Sequence, residues 1–342
     1  MNILEEDIQL FVNEFRFSDK LANAKFLITG GTGLIGSILV KSLKALNRDI
    51  HIMLPVRNIE KSRQIFGKDS PGITLLKTDL IEYLSTTKDK FDYIIHCASP
   101  TNGKYMVEHP IETFTLAIDT TRLILEYCKK YNVKSFVYIS SLEYYGENYN
   151  DKSITEDNIG FINYSDPRSS YPLGKRAAEF LCKSYATQYG IPVKIARLTQ
   201  TFGAGISTDD NRVFAQFAKS IINKRDIILH TQGASSKPYC YTIDCMTAIL
   251  LILLEGQGGE SYNVSNDETY ISIKDMAFFL KEHFCQKINV IISESSDMGY
   301  APETKLNLDS SKLRSLGWEP KYDLKEMYRR LIESMTQECN NK

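Results

Sequence analysis

Tyr171 and Lys175 stand four residues apart in Tyr-Pro-Leu-Gly-Lys, at the start of a run with helical spacing. An i, i+4 pair shares one face of a helix. A phenol is a poor base near neutrality because its ordinary pKa is about 10. An ammonium beside it favours the phenolate, and each unit of lowering is worth about 1.4 kcal/mol. The spacing by itself is common in a chain with 20 tyrosines, and Tyr270 with Lys274 repeats it. What sets Tyr171 apart is Ser140-Ser141 at the end of a strand-like run. In a doubly wound sheet that strand end and the helix carrying Tyr171 can meet beside a bound cofactor. A serine hydroxyl there can bond the oxygen that a tyrosine protonates or deprotonates. Tyr171, Lys175, Ser141 and, two residues on, Glu143 are the candidate catalytic groups. The bland alternatives are a surface tyrosine and a solvated loop carboxylate.

Proton transfer of this kind needs a partner that moves electrons, and residues 25–36 supply a place for one. They read Lys-Phe-Leu-Ile-Thr-Gly-Gly-Thr-Gly-Leu-Ile-Gly, an apolar strand running into glycines. Gly31, Gly33 and Gly36 keep the G-x-G-x-x-G spacing, and a helix over 34–46 follows. Such a turn lets main-chain N–H groups approach a pyrophosphate, with the positive end of the helix dipole behind them. Gly30, Gly31, Thr32, Gly33, Leu34, Ile35 and Gly36 are thus candidate dinucleotide contacts; the alternative is a tight turn with no ligand. The second strand ends Leu54-Pro55-Val56-Arg57-Asn58, and no acid occupies 50–57. NAD sites usually carry Asp or Glu here, whereas an arginine can take a 2′-phosphate. On its chemistry Arg57 points to NADP, with a plain surface charge as the alternative.

The elements that must position these groups alternate. Strands are expected at 25–29, 50–54, 73–76, 93–97, 135–140 and 193–198, with a seventh near 261–264, and helices at 34–46, 111–131 and 172–189. Short β-branched runs between helices imply an α/β fold, a doubly wound parallel (Rossmann) sheet covered on both faces. After Leu198 the pattern loosens into Gly-, Ser- and Asp-rich loops at 203–211 and 231–238, with helices at 212–223, 243–255, 272–284 and 322–336. The expected division is a helical extension over 1–22, a dinucleotide-binding domain over 23–200 and a smaller substrate-binding lobe over 201–342, from which the strand near 261–264 returns to the sheet. In the extension Ile8, Phe11, Val12 and Phe15 recur at helical spacing, which predicts a helix packed on the core.

At 342 residues the chain exceeds the usual single core. Its 41 basic and 42 acidic residues are interspersed, leaving no basic field for nucleic acid. Seven scattered cysteines without a C-x-x-C pair speak against a disulfide framework or structural zinc, and for a reducing cytoplasm. No apolar run reaches the roughly 18 residues of a membrane helix. The acidic start, Met1-Asn-Ile-Leu-Glu-Glu-Asp, is unlike a signal peptide.

The glycine motif, Asp79-Leu80 after the third strand, His96-Cys97-Ala98-Ser99 after the fourth, Ser141 and Tyr171/Lys175 together resemble an extended short-chain dehydrogenase/reductase. Later blocks resemble its nucleotide-sugar epimerase/dehydratase branch. They are Ser-Leu-Glu-Tyr-Tyr-Gly (141–146), Pro167-Arg168, Gly-Lys-Arg-Ala-Ala-Glu (174–179), Ala-Arg-Leu-Thr-Gln-Thr-Phe-Gly (196–203), Asn-Arg-Val-Phe (211–214), Tyr241-Thr-Ile-Asp244 and Leu-Gly-Trp-Glu-Pro (316–320). Within that branch the likeness is to UDP-glucuronate decarboxylases, over residues from about 25 to about 335. The resemblance implies that the glycines hold the pyrophosphate, that Asp79 touches the adenine, and that Leu80, Cys97, Ala98 and Ser99 line the cofactor. It implies Lys175 on the nicotinamide ribose and Tyr171 as acid/base with Ser141 assisting. A nucleotide-diphosphate sugar would meet Ser141, Arg168, Gln200, Arg212 and Lys237. The C4 hydroxyl of the sugar would lose its proton to Tyr171 as C4 gives a hydride to the nicotinamide, and the ketone would permit elimination, epimerisation or decarboxylation. The relatives use NAD, Arg57 favours NADP, and both remain open. A homodimer through helices 111–131 and 172–189 is also implied, as is work in surface polysaccharide synthesis.

Departures from that pattern narrow the chemistry. Dehydratases carry an Asp-Glu pair where Leu142-Glu143 stands, so elimination lacks its proton donor; the decarboxylases place a small hydroxyl residue at the position of Leu142. Lys237 and Lys305 stand where arginines are expected, and Gln200 where Asn is usual. A lysine binds phosphate as a point charge without the bidentate fork. Decarboxylation or epimerisation with a retained dinucleotide therefore leads. An NADPH-dependent 4-keto-deoxysugar reductase is the alternative, and a non-catalytic dinucleotide-binding module has no need of Ser141, Tyr171 and Lys175 together.

Overall fold

Phe26 and Ile28 face one apolar core and Leu27 the other, as the two-residue period of a strand dictates. Ile94/Ile95 and Phe136/Val137 divide in the same way. A sheet with two apolar faces must be covered on both sides, and here it is. The computed structural model describes residues 1–68, 70–150, 152–294 and 303–340. Its central sheet has seven strands: β1 (Lys25–Thr29), β2 (His51–Val56), β3 (Ile73–Lys77), β4 (Tyr93–His96), β5 (Ser135–Ser141), β7 (Val193–Leu198) and β11 (Ser261–Val264), with the two-residue β6 (Ser153–Ile154) lying outside it. All pairings are parallel, in the order β11-β7-β5-β4-β1-β2-β3. The chain starts in the middle with β1 and winds outward both ways, so a crevice opens between β1 and β4 at the carboxyl ends.

One face carries α1 (Ile3–Glu14), α2 (Leu34–Ala45) and α9 (Thr242–Glu255), whose buried residues include Phe11, Leu39 and Ile249. The opposite face carries α4 (Leu80–Thr86), α6 (Pro110–Tyr131) and α7 (Ser170–Tyr189), with Leu84, Leu125 and Cys182 buried. Each fully buried Leu, Ile or Phe contributes about 1.5–3 kcal/mol. Pro110 starts α6, where its missing N–H costs nothing, and Asn132 at φ 51° ends it in the left-handed region. The helix expected in the extension over 1–22 is α1 followed by a short 3-10 turn, Ser18–Leu21. The short helices α3 (Ile59–Phe66), α4 and α5 (Gly103–Glu108) were not foreseen, because six to eight residues hold too few periods to read.

Later residues build the other layer. β8 (Gln200–Phe202) pairs in parallel with β10 (Ser236–Tyr241), which pairs antiparallel with β12 (Asn266–Ser272). The remaining pairs are β9 (Ile227–Leu229) with β13 (Val290–Ile292), and β6 with β14 (Asn307–Leu308). Helices α8 (Val213–Ile222), α10 (Ile273–Phe284) and α12 (Leu324–Asn340) add Phe214, Leu280 and Tyr328 to the first core, with α11 (Ser311–Arg314) beside them. Phe202 stacks on Phe214 at 4.8 Å between centroids. The same core thus runs unbroken from the sheet into these later elements.

Candidate active site

The turn after β1 is drawn against the end of β4. Gly30 sits at φ +68°, and a Cβ there would lie 2.7 Å from the Ala98 nitrogen. A Cβ on Gly36 would lie 2.4 Å from the Gly30 carbonyl oxygen, so α2 can begin this close to the strand only with glycine. Gly33 precedes α2 without a side-chain cap, and the first N–H groups of the helix are left for an anion. Thr29 Oγ1 meets His96 Nδ1 at 2.6 Å and accepts from Ala98 N at 3.2 Å, which fixes the Cys97-Ala98-Ser99 segment beside the turn. Burial takes the His96 ring down to about 3, with Lys175 adding to the effect, so it stays neutral. Burial also pushes the Cys97 thiol up to about 12. A glycine cradle that any Cβ would fill, ending on an uncapped helix, fits a dinucleotide pyrophosphate.

The structure brings Ser141, Glu143, Arg168, Tyr171 and Lys175 together at the end of β5 and the start of α7. Lys175 Nζ donates to the Ile139 carbonyl at 2.8 Å and lies 5.5 Å from the centroid of the Tyr171 ring. Ser141 ends β5 and its hydroxyl accepts from Glu143 N at 3.2 Å. Arg168 Nη2 lies 2.9 Å from both carboxylate oxygens of Glu143. The expectation that Lys175 holds the phenol low needs correction. Tyr171 keeps some open surface, yet desolvation is the strongest influence and pushes its pKa up; Glu143 adds to this, while Ser141, Arg168 and Ser99 oppose it. Desolvation also brings Lys175 down to about 8. The same dry surroundings thus act on both groups, disfavouring the phenolate and the ammonium alike.

A buried network beneath the cluster was missed as function in the sequence. Arg197, wholly buried on β7, bonds Glu179 of α7 with Nη2 to Oε2 at 2.8 Å, and its Nη1 donates to Tyr145 Oη at 2.9 Å. Ser140 Oγ donates to Glu179 Oε1, and Tyr145 Oη donates to Asn263 of β11. Four elements are thus locked around the loop that carries Ser141 and Glu143. Arg197, Glu179 and Tyr145 lie in the family-like blocks, but a single sequence does not show that they meet.

The other candidates separate. Lys237 on β10 comes within electrostatic reach of Glu143, which raises an ammonium that burial lowers. Gln200 is half-buried on β8, in register with Tyr239. Arg212 is directed elsewhere, with its guanidinium bonded to Asp210, Nη2 to Oδ2 at 2.6 Å. Asp79 caps α4, accepting from Ile81 N at 2.8 Å, and Leu80 packs on the second core. Arg57 is exposed just past β2. Leu142 is buried with Tyr145, Ile154, Leu306 and Leu308, so hydrocarbon fills the position of a dehydratase acid.

Residues 26–265 match the family described as the NAD dependent epimerase/dehydratase family. The chain belongs to this family. It is an enzyme that uses NAD or NADP. It is similar to UDP-glucuronic acid decarboxylase 6 of Arabidopsis thaliana, 28% identical over 308 residues covering 89% of this chain and 87% of that one. It is similar also to dTDP-D-glucose 4,6-dehydratase of Dictyostelium discoideum, 28% identical over 268 residues, 73% of this chain and 60% of that one. The fold matches the epimerase Mth375 of Methanothermobacter thermautotrophicus with a TM-score of 0.79 at 21% identity, covering 96% and 98% of the two chains.

Proposed function

We propose that this family member modifies the sugar of a nucleotide-diphosphate sugar through a transient 4-keto form, and then decarboxylates or epimerises it while the dinucleotide stays bound. The observation that carries this is Glu143, which faces Tyr171 while Leu142 beside it is buried in hydrocarbon. A loop with a carboxylate and no acid suits proton abstraction or support of a departing carboxylate, and does not suit loss of water. The relatives named as UDP-glucuronic acid decarboxylases support the substrate class.

The glycine turn and the first N–H groups of α2 would hold the pyrophosphate, with Lys175 on the ribose. When bound, the dinucleotide accepts a hydride from the sugar and returns it. Tyr171 exchanges the C4 hydroxyl proton, and Ser141 bonds the same oxygen. Ile139 fixes the Lys175 ammonium through its carbonyl. Unfolding the purified protein and weighing the released dinucleotide tests this. Tightly held NAD in near-equal amount is the expected result. An empty protein that takes up NADPH would support the 4-keto reductase instead, the reading that the exposed Arg57 favours.

The exposed Ile111 and Phe180, 73% and 71% open on α6 and α7, support a homodimer through these helices. Phe180→Asp is expected to yield monomers in sedimentation with a melting temperature changed little, since surface changes are usually within about 0.5 kcal/mol. Seven free thiols fit a reducing cytoplasm. Among the described residues no helix is long and apolar enough to cross a membrane.

A further inference from the structure

Lys175 is buried, and among the described residues its one hydrogen bond goes to the Ile139 carbonyl, at 2.8 Å. The acids around it are engaged elsewhere. Glu179, one turn along α7, is committed to Arg197 and Ser140, and Glu143 to Arg168. The thiols of Cys97 and Cys182 also face the ammonium, and burial keeps both neutral by pushing their pKa values up. An ammonium held out of water needs more than one neutral acceptor, since it carries three donors and a charge.

What remains around it is aromatic. Nζ lies over the ring of Tyr138, 4.8 Å from the centroid, and 5.5 Å from the centroid of Tyr171. The face of an aromatic ring attracts a cation within about 6 Å, and more strongly where water is excluded. Tyr138 directly precedes Ile139 on β5, so one strand fixes both the ring and the carbonyl. In register with it on β4 stands His96, with the two ring centroids 5.8 Å apart. His96 meets the hydroxyls of Thr29 and, on α6, Thr120, and it stays neutral, so it brings no like charge to the ammonium.

We propose that Tyr138 is a positioning residue for Lys175: the face of its ring attracts the ammonium and, with the Ile139 carbonyl, keeps it charged beside Tyr171. What this does for turnover rests on the nucleotide-sugar reading above. Desolvation pulls the ammonium down to about 8, and the ring opposes that pull without introducing an acid. A carboxylate in the same place would hold the ammonium more firmly, but it would also raise the Tyr171 phenol, as Glu143 already does. A neutral ring supports the cation and leaves the phenol alone. The phenol of Tyr138 is itself pushed well up by burial, so it stays neutral as the site titrates. The working part is the ring, and its hydroxyl takes no share.

The test reads the ammonium directly. Full-length protein isotope-labelled at the lysine ε-carbons is titrated by NMR, with the Lys175 signal assigned by its loss in Lys175→Met. The wild-type midpoint is expected near 8. Tyr138→Leu should lower it by about one pH unit, tenfold in the acid constant, as befits a desolvated cation–π contact. Tyr138→Phe keeps the ring and should titrate as the wild type does. A midpoint left in place by Tyr138→Leu would overturn the proposal, as would an equal fall in Tyr138→Phe. Should Tyr138→Leu not fold, fluorinated phenylalanines at position 138 make the comparison at nearly constant size. Each fluorine weakens the ring face and should lower the midpoint further; a midpoint indifferent to fluorine would overturn the proposal. In the dinucleotide-loaded enzyme with UDP-glucuronate as the probe, the alkaline limb of kcat should move to lower pH by the same amount. The sign follows because the site needs the proton on Lys175, and a lowered pKa gives it up sooner as pH rises. A kcat reduced equally at every pH, with the limb in place, is the mark of packing alone and would overturn the assignment. Should no nucleotide sugar turn over, the reading of the reaction falls, and the lysine titration still decides the role of Tyr138.

Discussion

The two halves of the site are built from opposite materials. At the turn from Gly30 to Gly36 the working groups are main-chain N–H donors, and the contribution of the side chains is to be absent. Around Tyr171 every working group is a side chain, and each is held by a distant partner: Lys175 by the Ile139 carbonyl, Glu143 by Arg168, and the loop beneath them by Arg197, Glu179 and Tyr145. A main-chain site is specified by a short stretch of sequence, because a turn and a helix start are local. A side-chain site is specified by pairings between residues far apart, such as Glu179 with Arg197 and Tyr145 with Asn263. The first tolerates almost no added atom. The second tolerates atoms and fails when a partner is removed.

The largest expected effect lies in the side-chain half. Tyr171→Phe should reduce turnover about 10²–10⁴-fold, the usual worth of a general acid or base, while dinucleotide binding by fluorescence stays close to wild type. Loss of both together would mean that the two halves are not separable. Next is the support beneath. Glu179→Gln removes one charge of a wholly buried pair and should cost about 3–5 kcal/mol in urea unfolding. An unfolding curve that barely moves would show that the network does not lock the loop.

The main-chain half predicts the reverse pattern. Gly36→Ala forces a methyl against the Gly30 carbonyl and should cost about 1–3 kcal/mol, the typical price of overpacking, with dinucleotide binding lost before the fold. A control away from both halves reads stability against pH and leaves activity aside. Asp244 is buried, accepts from the main-chain nitrogens of Lys321 and Tyr322, and is pushed up to about 7 by desolvation. Its folded pKa exceeds the ordinary 3.8, so the folded state holds the proton longer and the wild type loses stability as pH rises between these values. Asp244→Asn should therefore match the wild type near pH 4 and gain by at most about 1.4 kcal/mol per pH unit up to about 7. The gain should be flat above that pH. A melting-temperature difference independent of pH would mean that the carboxyl is ionised in the fold throughout.

The strands were legible because short apolar, β-branched runs between helical stretches are local features, and β1 to β5, β7 and β11 lie within a residue or two of where the sequence places them. The glycine turn was legible for the same local reason. Tyr171, Lys175 and Ser141 could be named from spacing and strand ends, yet their electrostatics could not. Burial, a property of the whole fold, pushes the phenol up and the Lys175 ammonium down, and no spacing in the sequence shows it. Arg212 is named from the resemblance alone, and its pairing with Asp210 in the loop before α8 is visible only in the structure.

By itself, then, the sequence determined the parallel sheet, the dinucleotide turn and the catalytic residue types, since each follows from periodicity or from backbone sterics within a dozen residues. Only the tertiary structure decided what surrounds them. It set the pairing of Arg168 with Glu143, the burial of Leu142 in hydrocarbon and the Arg197–Glu179 lock beneath the loop. Those depend on desolvation and on contacts between residues up to scores of positions apart, and such energies exist only once the chain has closed on itself.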